Sequence, residues 1–359
     1  MARLRRVDCS TAGITRRRRG RGFEYIDGTG RSVKDEEILE RIRALTIPPA
    51  WKDVWICPYP MGHIQATGMD AAGRKQYRYH DRWRERRDRE KFDSMVEFAR
   101  SLPSLRERVA QDLARADLSR AHVLGGAARL LDRGFFRIGS EGYAEENETY
   151  GLATIRKDHV RVSDGAVIFD YDAKGGKRAV QQLADPDVLS LVQTLKRRRS
   201  GGPELLAYKA SGRWRDVKSA DINEYLKATG GSDFSAKDFR TWNATVLACI
   251  ALAVSAPAAT GSKTARKRAA KRAVDEVAHY LGNTPTVSRA SYIDPRVFDR
   301  FDGGLTIAGV LPDMAREPDR WLELQRAVEE GVLDLIAGDG DSEAVERARD
   351  STAAIARAA

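Results

Sequence analysis

The hydrophobic and polar positions in the first quarter of the chain predict short strands more often than helices. The patterns at Phe23–Ile26 and Val54–Ile56 are typical of strands, the second of them buried. Ile64–Thr67 and Lys75–Tyr79 predict a hairpin across the glycine-containing stretch between them. Asp35–Ala44 instead repeats its apolar residues with helical spacing. This region is therefore predicted to be a small antiparallel sheet with little helix.

The remainder of the chain mostly has helical spacing of its apolar positions. It begins with the highly charged stretch Arg82–Arg89, which we interpret as an interdomain hinge running into a helix. Short strands are predicted at Leu152–Ile155, His159–Val162 and Val167–Tyr171, before a tight turn at Lys174–Lys177. The predicted helices are Leu105–Ala116, Arg120–Arg133, Asp185–Arg199, Ser219–Thr229, Lys237–Ser255 and Thr264–Leu281.

These elements predict an α+β fold, with a small antiparallel-sheet N-terminal domain followed by a mainly α-helical domain that contains a small β-sheet. A chain of 359 residues exceeds what one hydrophobic core usually supports, which agrees with two domains. The predicted boundaries are residues 1–22 for a basic flexible arm, 23–88 for the β-rich domain, 89–311 for the mainly α domain and 312–359 for an acidic helical tail.

The charge balance favours a polyanionic partner. The chain has 62 Lys and Arg against 52 Asp and Glu, a net charge of +10, and nucleic acid is the simplest such partner. Many soluble bacterial proteins have a similar balance, so charge alone leaves the function open. Cys9, Cys57 and Cys249 are too few and too widely spaced for a disulfide framework or a zinc site. No apolar run is expected to reach membrane-spanning length, so we expect a cytoplasmic protein.

Three separated stretches supply groups that suit phosphate chemistry. The phenol of Tyr292 has a reference pKa of about 10, and it attacks phosphorus effectively only when cations are aimed at the phosphate. Arg137 lies between glycines and beside apolar residues, where it needs either a ligand or partners such as the acids of Glu145–Glu148. Lys237 and Arg240 oppose the dipole of the helix that they begin, a conflict that a bound anion would remove.

The second arm of the predicted N-terminal hairpin alternates polar and aromatic side chains. Gln76 and Arg78 share one strand face, while Tyr77 and Tyr79 share the other. A two-stranded ribbon fits a major groove and presents amide and guanidinium groups to base edges. An ordinary half-buried edge strand has the same pattern. Lys174 likewise suits either a solvated hairpin tip or a tip projected into a partner's groove.

Several short motifs occur together and in order along the chain. They are Phe136-Arg137-Ile138-Gly139, Glu146-Asn147-Glu148-Thr149, the Lys174 turn, Lys237-Asp238-Phe239-Arg240-Thr241, and Gly282-Asn283-Thr284-Pro285 with Ser288-Arg289-Ala290-Ser291-Tyr292. This set resembles the small, poxvirus-like type IB DNA topoisomerases, which also occur in bacteria. The resemblance covers roughly residues 20–310. It includes the strand around Gln76, which is similar to the DNA-contacting strand of that family's N-terminal domain.

The resemblance implies a role for individual residues. Tyr292 would attack a backbone phosphorus and hold the 3′ phosphate, while Arg137 and Arg240 would bind the non-bridging oxygens. Lys174 would protonate the departing 5′ hydroxyl, and Lys237 would be a supporting basic residue. The implied DNA contacts are Gln76, Tyr77, Arg78, Tyr79 and Tyr143. The implied partner is duplex DNA, held by a monomer acting as a C-shaped clamp at the nucleoid, with no ATP, metal or other cofactor.

Asn283 departs from the family pattern, in which many members have histidine. An asparagine amide still donates a hydrogen bond to a phosphate oxygen, but it carries no titrating charge. Two other interpretations remain. A tyrosine recombinase uses a similar catalytic set, although its N-terminal domain is usually helical rather than strand-rich. A non-catalytic DNA-binding or architectural protein would bind DNA but would never become covalently attached to it.

Overall fold

The computed structural model describes residues 3–231, 233–259, 262–311 and 321–347. The chain divides into two compact units, Met1–Asp93 and Ser94–Ala359. The division falls within a 33-residue helix, Asp81–Leu113.

The first unit is built on a five-stranded antiparallel sheet and one helix. In spatial order the strands are β2, β1, β3, β4 and β5. Their bounds are β1 Ile14–Arg19, β2 Gly22–Ile26, β3 Lys52–Ile56, β4 Ile64–Met69 and β5 Lys75–Tyr79, with helix α1 at Glu36–Ala44. Helix α1 begins where the Asp35 carboxylate accepts hydrogen bonds from the backbone of Glu37 and Ile38. The buried side chains of Ile42 and Ile56 bring this helix and the sheet into one core.

The basic run Arg16–Arg19 lies within β1, so its assignment to a flexible arm is wrong. The strand begins with the buried Ile14 and is flanked by β2 and β3. The guanidinium group of Arg16 donates hydrogen bonds to the carbonyl oxygens of Pro48 and Trp51, at 3.1 and 2.7 Å. The strand is hard to predict from a run of like charges, because the groups that accept hydrogen bonds from Arg16 are distant along the chain.

The second unit is mainly helical and carries small sheets. A three-stranded antiparallel sheet has the order β6 (Val160–Ser163), β7 (Ala166–Ala173) and β8 (Lys177–Leu183). Two further antiparallel pairs are β9 (Ala207–Ala210) with β10 (Arg213–Asp216), and β11 (Leu305–Thr306) with β12 (Glu346–Arg347). The helices that follow α1 are α2 Asp81–Leu113, α3 Arg120–Gly134, α4 Glu141–Asn147, α5 Pro186–Arg197, α6 Ser219–Gly230, α7 Ala236–Ser255, α8 Lys263–Leu281, α9 Pro285–Ser291, α10 Pro295–Asp302 and α11 Trp321–Ala337. The predicted α+β fold class is confirmed.

Helix α2 differs from the prediction of a hinge followed by a separate helix. It is continuous from the charged stretch Arg82–Arg89 through Pro103. A proline removes one hydrogen bond from a helix interior and usually bends or ends the helix. Here the flanking Leu102 and Leu105 are buried, and their packing outweighs that local loss.

The predicted strand Leu152–Ile155 is instead a turn. The N–H groups of Leu152 and Ala153 donate hydrogen bonds to the carbonyl oxygens of Arg137 and Ile138, both at 2.8 Å. The apolar residues of this run are buried, as their pattern indicates. Their backbone, however, is hydrogen-bonded to the loop after α3 and not to a neighbouring strand. The hairpin of β9 and β10 has no counterpart among the predicted elements.

A buried ion-pair network holds α11 within the second unit. Arg106 on α2 lies between Asp132 of α3, at 2.8 Å, and Glu329 of α11, at 2.6 Å. Burial lowers the pKa of Arg106, but the two carboxylates outweigh it and raise the pKa. The predicted helical tail is thus a helix over Trp321–Ala337, while residues 312–320 and 348–359 of that tail lie outside the described residues.

Helix α7 is a core helix of this unit. Phe239 and Trp242 are each 1% exposed. The stretch Ala236–Ala258 has the length of a membrane span and contains an 18-residue window with a mean hydropathy of 1.4, yet 61% of that window is buried inside the protein. The expectation that no apolar run reaches spanning length is wrong for this stretch. Its apolar residues are accounted for by packing.

Candidate active site

The segment that carries Arg137 is fixed by its backbone. Helix α3 ends at Phe135, which has the left-handed φ of 56°. Two glycines then allow the chain to approach the turn after α4: a Cβ at Gly151 would lie 2.8 Å from the Arg137 carbonyl oxygen and 2.5 Å from the Cα of Gly139. No side chain fits there. The close approach lets the N–H groups of Leu152 and Ala153 bond to the Arg137 and Ile138 carbonyl oxygens, which fixes the backbone at Arg137.

Arg137 reaches the end of α8 and contacts Asn283. Its guanidinium group donates to the side-chain oxygen of Asn283 and to the carbonyl oxygen of Gly282, the latter at 3.4 Å. Among the described residues, no salt bridge joins Arg137 to Glu145–Glu148. The alternative in which those acids are its structural partners is therefore wrong. The amide nitrogen of Asn283 is buried and has no hydrogen-bond partner in the described structure.

Arg240 is buried beside Arg137, with only 4% of its surface exposed. It donates hydrogen bonds to the carbonyl oxygens of Phe135 and Leu281, the second at 2.9 Å, while its Nε has no partner among the described atoms. Burial and the nearby Arg137 charge lower the pKa of Arg240 to about 10, against the opposing effect of Tyr292. Two cations so close favour an anion between them.

Tyr292 lies at the end of α9, next to Arg240. The guanidinium carbon of Arg240 is 5.4 Å from the centre of the Tyr292 ring. Thr245, on the same helix as Arg240, packs against the backbone here: its hydroxyl accepts a hydrogen bond from the Asp294 N–H at 3.1 Å. Its single hydrogen is shared between the Thr241 and Tyr292 carbonyl oxygens, at 3.0 and 3.3 Å. The structure thus brings together Tyr292, Arg240, Arg137 and Asn283, a proximity that the sequence had left open.

A cleft of about 530 Å³ opens beside this cluster and includes Arg137 and Arg240 in its lining. Arg133, Lys177 and Arg178 add three further cations, and no carboxylate belongs to the lining residues. Tyr171 projects from β7 into the same wall, where burial raises its pKa to about 12 although the two arginines act to lower it. The cleft is therefore suited to an anion.

Lys174, Tyr143 and Lys237 lie apart from this cluster. Lys174 is exposed at the turn between β7 and β8, as predicted, and its ammonium nitrogen lies 6.0 Å from the centre of the Tyr143 ring. Lys237 is exposed on the first turn of α7. No contact in the described structure joins any of the three to Tyr292.

The aromatic face of β5 is the exposed one. The rings of Tyr77 and Tyr79 stack with their centres 5.9 Å apart, and 42% and 37% of the two residues are exposed. On the other face, the Gln76 amide donates to Asp70 at 2.9 Å, and Arg78 donates to the Thr46 carbonyl oxygen at 3.0 Å. The amide and guanidinium groups expected to face a groove are thus engaged within the first unit.

No pattern in the sequence pointed to Thr245 or Tyr171. A threonine inside an apolar helix and a tyrosine inside a buried strand are common in protein cores. Their position at the site follows only from the packing of α7, α9 and β7 around Arg240. The described residues contain no group of three or more His, Cys, Asp or Glu that could hold a metal ion.

Both units are similar to parts of known DNA topoisomerases. The family model described as the catalytic core of eukaryotic DNA topoisomerase I matches residues 80–301. The model described as the N-terminal domain of bacterial DNA topoisomerase IB matches residues 22–70. The chain is 31% identical over 288 residues to DNA topoisomerase 1B of Acanthamoeba polyphaga mimivirus, covering 78% of this chain and 85% of that protein. It is 26% identical over 159 residues to DNA topoisomerase 1 of Schizosaccharomyces pombe, covering 44% of this chain and 18% of that protein.

Proposed function

Since this chain belongs to the type IB DNA topoisomerase family, we propose that it relaxes supercoiled duplex DNA by cutting and resealing one strand through Tyr292. The observation that carries the proposal is the cluster of Arg137, Arg240 and Asn283 beside this phenol, with both arginines lining a cleft. Arg240 lies on α7, Arg137 in the loop after α3, Asn283 just after α8 and Tyr292 at the end of α9.

The bound state would place one backbone phosphate in the cleft. The buried Nε of Arg240 and the amide nitrogen of Asn283 have hydrogens to donate and no described acceptor, and a phosphate oxygen supplies one. Guanidinium groups meet phosphate oxygens in planar, charge-assisted hydrogen bonds. The like charges of Arg137 and Arg240, which repel each other in the free protein, are then compensated by the ligand.

In the proposed reaction, the Tyr292 phenol releases its proton to solvent as its oxygen attacks the phosphorus and forms a 3′ phosphotyrosyl ester. The bond from phosphorus to the 5′ oxygen breaks, and that oxygen leaves as a hydroxyl after receiving a proton. The pentacovalent transition state gathers negative charge on the non-bridging oxygens, where Arg137 and Arg240 stabilise it. Religation is the reverse: the 5′ hydroxyl attacks, and the phenol leaves.

We assign the proton transfer to the leaving oxygen to Lys174, assisted by Arg137. Because Lys174 lies at a hairpin tip outside the cluster, this role requires the tip to move toward the phosphate when DNA binds. The turn contains Gly175 and Gly176, with φ of 81° and 68°, and is exposed. Positively charged lysine is an effective general acid for an alkoxide.

The phosphotyrosyl ester conserves the energy of the broken bond, so resealing needs no ATP. Charge neutralisation by guanidinium groups is the function that a divalent ion performs in other phosphoryl-transfer sites. We therefore propose relaxation of both positive and negative supercoils by a monomer. The clamp and the association with the nucleoid stay predictions of the sequence.

The decisive experiment is relaxation of a supercoiled plasmid in EDTA without ATP, with wild type beside Tyr292→Phe. We expect wild type to relax the plasmid and the variant to bind DNA without relaxing it, because the ring is kept and the attacking oxygen is lost. Denaturing the reaction should trap DNA covalently on wild type alone. A Tyr292→Phe protein that still forms the adduct would overturn the assignment.

The same assay distinguishes the alternatives. A non-catalytic DNA-binding protein would shift DNA in a salt-dependent manner and give no adduct. A tyrosine recombinase would exchange strands between two specific sites as a tetramer. The antiparallel sheet of the first unit favours the topoisomerase over the recombinase, whose N-terminal domain is usually helical.

A further inference from the structure

The first unit contains a second cationic pocket whose residues have no part in the proposed reaction. Its volume is about 620 Å³, and it lies between the N-terminal segment and the first turns of α2. Glu85 is the carboxylate in its lining. The cationic lining residues are Arg3, Arg5, Arg6, Arg82, Arg86 and Arg89.

The N-terminal side of this pocket is anchored by backbone hydrogen bonds. The N–H of Arg5 donates to the Met61 carbonyl oxygen at 2.8 Å, and the N–H of His63 donates to the Arg5 carbonyl oxygen at 2.9 Å. The N–H of Val7 donates to the His63 ring at 3.1 Å. The arginines of residues 3–6 therefore project from a fixed segment, whereas the sequence suggested a flexible arm.

Aromatic rings support two of these arginines. The guanidinium carbon of Arg5 lies 3.8 Å from the centre of the Tyr59 ring, and that of Arg6 lies 5.8 Å from the Trp83 ring. The Trp83 ring is itself packed edge-on against His63, with centres 4.9 Å apart. A guanidinium group stacked on a ring keeps its N–H groups at the edge, so stacking orients the donors without consuming them.

The α2 side of the pocket carries a row of arginines on one helix face. Arg82, Arg86 and Arg89 are spaced by four and three residues, which places them on neighbouring turns. Arg86 forms a salt bridge with Glu90 at 2.8 Å. No described salt bridge joins Arg89, or the arginines of residues 3–6, to a carboxylate. The pocket therefore keeps a net positive charge.

We propose that this pocket binds consecutive phosphates of duplex DNA, as a contact separate from the phosphate at Tyr292. The inference rests on the proposed function, which makes duplex DNA the substrate. Several guanidinium groups in one pocket match a run of neighbouring phosphates better than a single small anion. Such contacts position the protein on the duplex and carry no sequence information. They would raise affinity for any duplex sequence.

The test compares two double variants that lose the same charge. Arg6→Gln/Arg89→Gln removes pocket arginines, and Arg31→Gln/Arg43→Gln removes exposed arginines elsewhere in the same unit. Both are made in the Tyr292→Phe background so that cleavage does not disturb equilibrium. Affinity for a blunt duplex is measured by fluorescence anisotropy across a series of salt concentrations. Each lost phosphate contact reduces the slope of log affinity against log salt by about 0.9.

We expect the pocket variant to reduce that slope by roughly 2 relative to the control variant, at every duplex sequence tried. Equal slopes for the two double variants would overturn the proposal. If the pocket instead takes a free anion, pyrophosphate would raise the melting temperature of the parent but not of the pocket variant, with equal DNA slopes. The proposed function is tested separately: if it is wrong, wild type forms no covalent adduct with DNA when the reaction is denatured.

Discussion

The guanidinium group of Arg240 lies over the ring of Tyr292, with its carbon 5.4 Å from the ring centre. The two residues come from α7 and from the end of α9, and Thr245 of α7 accepts a hydrogen bond from the Asp294 N–H, two residues after Tyr292. The proposed nucleophile and one of its cations are therefore neighbours. Lys174, by contrast, has no contact with them in the described structure.

Replacing Asn283 should separate its hydrogen-bonding role from charge. Asn283→Ala removes both the acceptor that holds Arg137 and the amide donor, and we expect the cleavage barrier to rise by about 1–3 kcal/mol, which slows the rate roughly 5- to 150-fold. Asn283→His retains a ring donor and should keep activity. Single-turnover cleavage of a duplex measures both. An Asn283→Ala rate equal to wild type would remove this contact from the mechanism.

Thr245 should act as a positioning residue for Tyr292. Thr245→Val keeps the shape of the side chain but loses the hydroxyl that accepts from the Asp294 N–H and lies within hydrogen-bonding distance of the Tyr292 carbonyl oxygen. We expect slower single-turnover cleavage, by about 10-fold, at saturating DNA and with unchanged DNA affinity. Thr245→Ser keeps the hydroxyl and should restore the rate. A loss of affinity together with rate, unrescued by serine, would indicate a general folding defect instead.

The buried charge of Arg240 should destabilise the folded protein when no anion is bound. A pKa lowered from 12.5 to about 10 corresponds to roughly 3 kcal/mol for keeping the proton in the folded site at neutral pH. Replacing Arg240 would remove this cost but would also remove its hydrogen bonds to the carbonyl oxygens of Phe135 and Leu281, which offsets part of the gain. We expect Arg240→Gln to abolish cleavage. Its free energy of unfolding, measured in urea at pH 7, should be about 1–2 kcal/mol higher than that of wild type.

The sign of the pH dependence follows from the same shift. Above about pH 10 the folded wild type releases the Arg240 proton while the unfolded chain keeps it, so wild type gains stability as pH rises there. The advantage of Arg240→Gln should therefore shrink between pH 7 and pH 10.5. A wild type that is the more stable protein at pH 7 would contradict this account.

Lys174 should affect chemistry rather than binding. Lys174→Met removes the proposed proton donor from the hairpin tip, and we expect cleavage to slow by about 100-fold or more with little change in affinity. Lys227→Met, which removes another exposed lysine on α6, is the matched control and should cleave at the wild-type rate. If Lys174→Met cleaved as fast as this control, the proton would have to come from another group.

The exposed tyrosines of β5 should contribute more to DNA affinity than their polar neighbours. Tyr77→Ala is expected to weaken duplex binding by about 1–2 kcal/mol, roughly 5- to 30-fold. Gln76→Ala should weaken it less, because its amide already bonds to Asp70. Anisotropy in the Tyr292→Phe background measures both, and Tyr77→Phe shows whether the ring or the hydroxyl matters. A larger effect from Gln76→Ala would show that the strand presents its other face.

Only part of the candidate site stands out in the residue pattern itself. Arg137 and Arg240 do so, the first as a charge between glycines and apolar residues and the second as a cation at the start of a helix. Tyr292 gained meaning from those cations, and Asn283 was singled out only by the family resemblance. Thr245 could not be found this way, since its role depends on which backbone carbonyl packs against it. The same holds for the partners of Arg137, where nearby acids in the chain are less close in space than the end of α8.

Elements were predicted best where one period continued over many residues, as in α7 and α8. Short apolar runs were ambiguous, and the turn at Leu152–Ile155 has the composition of a strand. The charged run Arg16–Arg19 concealed a strand because its hydrogen-bond acceptors lie far along the chain. The predicted separate helix from Leu105 is part of α2, because the packing of Leu102 and Leu105 outweighs the effect of Pro103. In each case a distant contact decided what local sequence left open.

The Arg106 network has a consequence for any shortened form of this protein. Cutting the chain after α10 would remove Glu329 and leave a buried guanidinium with Asp132 as its carboxylate partner. The helix that looks like an appendage in the linear sequence is thus a structural brace. A protease that clipped this end would be expected to loosen the packing of α2 against α3 rather than simply trim a solvated extension.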